Sequence, residues 1–188
     1  MARQIFHFLG LTSIIGFLWI GLYSLNHILF KVTEITPYIS LIFIPSGFKI
    51  ACASIFRERS ILGIFLGSLI TGFLFLKKFS MVDVVIFSCF SATLPFLAFM
   101  ITEQLLPTKT DLSNLCMKRI TLLSVVYAVF NGFFHIAYRY HVLFLRDPHK
   151  AYEFLAMALG DILGILVFML LVAKATKYLW MQKLLQSS

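Results

Sequence analysis

Two ionisable residues stand inside apolar runs that otherwise carry no charge: Lys49, shortly after Pro45-Ser46-Gly47, and Asp161, within Gly160-Asp161-Ile162-Leu163-Gly164. A charge at the centre of a bilayer costs at least ~2.5–3.5 kcal/mol on insertion scales, so such groups face protein and find partners there. At ~1.5 Å per helical residue, Lys49 lies roughly 12 Å from the near end of its run and Asp161 roughly 13 Å from the opposite end of its own. In a hydrocarbon core of ~30 Å, both fall near the midplane. A direct Lys49–Asp161 ion pair, structural or holding a ligand, is therefore expected. The alternative is that Lys49 snorkels to the interface while Asp161 bonds a hydroxyl or a backbone group freed by Pro45.

A second polar set is expected towards the outer side: Asn26, His27, Asn131 and His135, with Tyr138 and His141 nearby. His27 and His135 fall at similar depth in two different spans. Such a pair could hold a haem between helices; the plainer reading makes them polar groups bonded inside the bundle or at the interface. No other metal or cofactor set is expected. The sequence has no phosphate loop, no HExxH, no nucleophile elbow and no paired carboxylates. Asp161 has no base, nucleophile or metal partner in view, so no catalytic residues are assigned and no enzyme is expected. Cys52, Cys89 and Cys116 form no CxxC motif and read as small hydrophobes.

The elements that must position these groups follow from composition. Of 188 residues, 60% are hydrophobic and 13% charged, against about half and a quarter in a soluble domain. The chain reads as a single all-α domain over 1–188, a polytopic transmembrane helical bundle of about six spans at ~20 residues each. The spans are expected near Leu9–Phe30, Tyr38–Phe56, Ile61–Leu76, Val82–Leu106, Ile120–Tyr138 and Tyr152–Ala173. Pro45 and Gly47 should kink or break the second helix and force it to face protein, because freed backbone groups cannot be left in lipid. Gly63 and Gly67 in the third helix, like Gly160 and Gly164 in the sixth, have the four-residue spacing that lets another backbone approach. Pro107–Arg119 reads as a surface loop, and Arg139–Lys150 as an interfacial or re-entrant connection.

A net charge of +8 sits in short loops and at helix ends, where it sets orientation rather than binding nucleic acid. Arg3, Arg57, Arg59, Lys109, Lys118, Arg119, Lys174, Lys177 and Lys183 fall on one side, against six Lys and Arg on the other. Both termini are expected in the cytoplasm.

Three patterns, in order along the chain, resemble the first-type MASE domain, a membrane-associated sensor domain of bacterial signalling proteins. They are the Pro45-x-Gly47 turn followed by an apolar run and the basic turn Arg57–Arg59; Gly63-x-Phe65-Leu66-Gly67; and Gly160-Asp161-x-x-Gly164. The resemblance implies a multi-helix sensory module in the bacterial inner membrane, in a family usually fused to a histidine kinase, a diguanylate cyclase or a phosphodiesterase. This chain is shorter than such domains and carries no output domain after its last helix, so a stand-alone form acting through a partner protein is expected. The resulting expectation is a non-enzymatic sensor-like or partner-binding module. Its surroundings are the lipid bilayer, another membrane or signalling protein, and an unidentified small molecule. The alternatives are an accessory or assembly subunit of a larger membrane complex, and a small substrate-binding component of a transporter.

Overall fold

The computed structural model describes residues 2–36, 39–106, 117–141 and 150–186. It is a helical bundle of α1 (Ala2–Leu29), α2 (Pro45–Phe56), α3 (Arg59–Phe75), α4 (Met81–Leu105), α5 (Met117–His141) and α6 (Lys150–Gln186). A short antiparallel hairpin, β1 (Glu34–Thr36) with β2 (Ile39–Ser40), lies between α1 and α2. Among the described residues, four helices are long and apolar enough to cross a membrane, over Phe6–Leu29, Met81–Leu105, Lys118–His141 and Ala151–Tyr178. The apolar α3 is shorter, and α2 has 12 residues, about half the reach needed to cross a ~30 Å core.

The helices form a curved wall in which α1 packs on α3, α3 on α4, α4 on α5 and α5 on α6. The short α2 fills the inside of that wall, against α6, α4, α1 and α3. Its residues from Pro45 to Ile50, with Cys52 and Ala53, are buried. One hydrophobic cluster joins Ile50 and Ala53 of α2 to Leu94, Ala98, Leu123, Tyr127 and Ile165. The other joins Phe48 and Cys52, also of α2, to Ile15, Trp19, Ile64 and Ala92. The core is thus built on both sides of α2, while residues such as Phe17, Phe133 and Leu170 stay exposed on the outer faces.

Of the two outcomes expected at Pro45–Gly47, a kink or a break, the structure shows the break, and the expected helix start at Tyr38 moves to Pro45. The break at Pro45 is complete: the helix begins there, and the chain before it is a strand followed by an irregular segment, Leu41–Ile44. Proline suits the first helical position, where it has no N–H to lose and its ring fixes the required φ. The irregular backbone is satisfied by protein, as membrane depth demands. Leu41 N–H donates to the Thr33 carbonyl at 3.1 Å and Phe43 N–H to the Gly160 carbonyl at 3.1 Å. Ile44 N–H donates to Asn26 Oδ1 at 3.0 Å.

Two other boundaries shift. Arg139 to His141 belong to the last turn of α5, and α6 runs on past Ala173 to Gln186. The rest of the expected Arg139–Lys150 connection, at 142–149, and most of the expected loop, at 107–116 with Cys116, lie outside the described residues. At the start of α4, Ser80 and Asp83 form a reciprocal capping box, and the helix continues through Pro95.

Candidate functional site

The glycines of α6 decide what sits beside Asp161. A Cβ on Gly160 would overlap the Ser40 carbonyl oxygen, and one on Gly164 the Phe43 carbonyl oxygen. With hydrogen at both positions, the segment before α2 lies directly on α6. That contact sets the first turn of α2 against Asp161, and Ser46 Oγ donates a short hydrogen bond to Asp161 Oδ1. The carboxylate therefore sits at the N-terminal end of α2, where the helix dipole favours an anion. Asn131 Nδ2 of α5 donates to Asp161 Oδ2 at 2.7 Å.

Lys49, three residues beyond Ser46, is also fully buried, but it reaches another set of partners. Its Nζ donates to Tyr127 OH at 3.0 Å and to Ser91 Oγ at 3.4 Å. It also lies 4.9 Å from the centre of the Trp19 ring and 5.6 Å from that of Phe43, within range of cation–π attraction. The expected direct Lys49–Asp161 pair is not formed. The ion pairs among the described residues are His27–Glu34, Glu103–Arg119 and Arg139–Glu153. The reason is local: Ser46 and Asn131 hold the carboxylate, and Tyr127 and Ser91 hold the ammonium group, all within hydrogen-bond distance.

Lys49 and Asp161 instead both line one cavity of about 120 Å³. Every helix contributes to its lining, with Trp19, Lys49, Ser68, Ser88, Asn131 and Asp161 among the residues. A smaller pocket, lined by Asn26, His27 and Glu34, adjoins it through the shared residues Tyr23, Ile39, Ser40 and Phe43. The hairpin thus stands between the central cavity and the His27 side of the bundle.

The expected outer cluster of Asn26, His27, Asn131 and His135 is divided between these spaces and is corrected accordingly. Asn26 holds the backbone of Ile44, and His27 Nδ1 bonds Glu34 Oε1 at 2.8 Å. Asn131 and His135 line the central cavity, with the His135 ring stacked on Phe87 at 5.2 Å. Tyr138 OH donates to Asp83 Oδ1 at 2.8 Å, tying α5 to the cap of α4, and His141 is exposed. Among the described residues, no group of three His, Cys, Asp or Glu side chains is placed to hold a metal ion.

The glycine motifs have different neighbours from one another. A Cβ on Gly63 would lie 2.7 Å from Ile15 Cβ, and one on Gly67 2.7 Å from Trp19 Cδ1 and 2.9 Å from the Gly16 carbonyl oxygen. The α3 pair therefore receives α1. Gly47 faces the Phe168 side chain of α6. Pro45 opens α2, as described above.

Sequence reasoning missed Tyr127, Ser46, Trp19, Ser91 and Ser68 as parts of the site. Ser46 carried a usable signal, because it lies one helical turn from Lys49 beside the chain break. Tyr127 and Trp19 did not stand out among so many aromatic residues.

The sequence profile of the MASE1 family matches residues 11–187. No match was found among curated proteins or among solved structures. The match takes in most of α1, the hairpin, α2 to α6 and the residues that line the cavity, and the chain belongs to the MASE1 family of membrane-associated sensor domains.

Proposed function

We propose that this chain is a non-enzymatic sensor module that takes a small molecule into its central cavity and acts through an associated membrane or signalling protein. The observation that carries this reading is that all six helices line the cavity around two buried charges without a direct partner of opposite charge. An occupant would touch each helix at once, and a ligand shifts a conformational equilibrium only through such differential contacts. The reading is cofactor-free: His27 and His135 line different spaces, and His27 is engaged by Glu34. The excess of Lys and Arg on one side supports a bacterial inner-membrane location with both termini in the cytoplasm.

Native mass spectrometry of protein extracted in mild detergent tests the reading. The expected result is a bound small molecule that is lost when the cavity is filled by Ser88→Phe, and independently by Ser68→Leu, with helical content retained. A bare wild-type chain, with partner capture indifferent to both substitutions, would overturn it.

A second reading, a small substrate-binding component of a transporter, is favoured by one observation. The helix α2 starts inside the bundle after irregular chain, and transporters build their substrate sites from such broken helices. Uptake of the bound molecule into vesicles carrying this chain alone would move the assignment to that class.

A further inference from the structure

The cavity presents more hydrogen-bonding capacity than the protein uses. Asn131 is 2% exposed and Ser68 7% exposed, and Asn131 Oδ1 and Ser68 Oγ have no hydrogen-bond partner. Both residues line the cavity. The orientation of the Asn131 amide is set by chemistry: the carboxylate of Asp161 accepts, so the NH₂ group must face it and the oxygen is left as an acceptor. Lys49 has three donor protons, two of them directed at Tyr127 and Ser91. Asp161 accepts one bond at each oxygen, which leaves further lone pairs.

An unsatisfied polar group costs about 1–3 kcal/mol when buried, so these sites call for an occupant with polar atoms. Its pattern is legible. Near Lys49 the cavity needs an acceptor that welcomes a cation. Near Asp161 and Asn131 Oδ1 it needs a donor that welcomes an anion. The other basic side chain of Lys or Arg type on the lining, Arg139, is already matched by Glu153 at 3.0 Å. Lys49 and Asp161 therefore balance each other across the space, and an occupant of net charge would leave an uncompensated charge at membrane depth, which is expensive.

Given that the cavity binds a ligand, as proposed above, we propose that the ligand is a small zwitterion: an amine and a carboxylate on one short aliphatic frame. Its carboxylate lies at Lys49, and its ammonium group lies at Asp161 and Asn131 Oδ1. The volume, about 120 Å³, is of the order of an engineered ~150 Å³ cavity that admits benzene, so the frame is a few carbons long and carries no large side chain. Trp19 and Phe43 give the Lys49 end an apolar wall, and Ser68 supplies a hydroxyl beside it.

The test is a titration of the unaltered chain in detergent, followed by its thermal unfolding midpoint. The probes are glycine, β-alanine, γ-aminobutyrate and 5-aminovalerate, which vary the spacing of the two charges. Propionate and butyrate keep only the acid end, and propylamine and butylamine only the amine end. The expected result is a saturable rise in midpoint for at least one zwitterion. Its single-ended analogues should bind roughly tenfold more weakly or worse, the size expected for losing one charge-assisted bond. Lys49→Met and Asp161→Asn should each abolish the preference for the zwitterion. The comparison of probes is read on the wild-type chain, so it stands even if those variants fail to fold.

Equal shifts from an acid or an amine alone would overturn the zwitterion assignment and leave the cavity as a binding site. No shift from any probe, in protein that native mass spectrometry finds occupied by another molecule, would also overturn it. No shift in protein that is bare and indifferent to Ser88→Phe would remove both readings together.

Discussion

Gly63 and Gly67 on α3, and Gly160 and Gly164 on α6, share one spacing and serve two different approaches. The α3 pair receives a helix: Ile15, Trp19 and the Gly16 carbonyl of α1 lie against it. Trp19 Nε1 then reaches across to Thr71 Oγ1 at 3.3 Å. The α6 pair receives irregular backbone, the Ser40 and Phe43 carbonyls of the segment before α2. The first seam joins two helices of the outer wall. The second admits non-helical chain to membrane depth, and so places Ser46 on Asp161 and Lys49 over the cavity. Identical spacing therefore does not report identical packing.

The contrast can be broken most severely at Gly164. A Cβ there would meet the Phe43 carbonyl and would lie 2.8 Å from Ile44 N, all backbone that has no rotamer with which to yield. Gly164→Ala is expected to cost about 3 kcal/mol or more, at the severe end of overpacking, and to unseat α2. Thermal unfolding in detergent measures the first effect. Maleimide labelling of Cys52, buried on α2 at 3% exposure, measures the second in a chain whose other cysteines are alanine. A Gly164→Ala chain with wild-type stability and a protected Cys52 would dissolve the distinction between the seams.

Gly67→Ala sharpens it from the other side. The new methyl meets the Trp19 side chain at 2.7 Å as well as the Gly16 carbonyl oxygen at 2.9 Å, contacts less close than the 1.9 Å approach at Gly164. The expected cost is about 1–3 kcal/mol in the same unfolding measurement, because the segment before α2 crosses Gly160 and Gly164 and not this seam. The smallest effect is expected at Gly21, whose Cβ would meet nothing within 4 Å. Gly21→Ala should leave stability unchanged or raise it by ~0.5–1 kcal/mol through helix propensity alone. A loss there instead would reveal a contact that the bundle's outer face makes with another chain.

How much of this was legible beforehand follows from the physics of each feature. The class was legible because apolar runs of spanning length have few other uses. The central position of the Lys49 region was legible because a lysine and a chain-breaking Pro45 cannot both face lipid. The structure of Ile39–Ile44 was not: a short apolar run gives no periodicity by which to tell a buried helix from extended chain, and the room it occupies is left by Gly160 and Gly164, more than a hundred residues away. The depths of Lys49 and Asp161 were readable from residue counts, but depth alone cannot rank an opposite charge against a nearer hydroxyl or amide. Ser46, Asn131 and Tyr127 won that competition through geometry that only the packed bundle defines. The grouping of His27 with His135 failed for the same reason, since equal depth does not make two helices adjacent.

The unbroken length of α6 has a mechanical consequence. From Asp161 to Gln186 the helix runs for about 38 Å at 1.5 Å per residue, and no proline interrupts it. A tilt of such a rod about Asp161 would displace its distal turns in proportion to that lever arm, so a small change of angle at the cavity corresponds to a larger displacement at the far end.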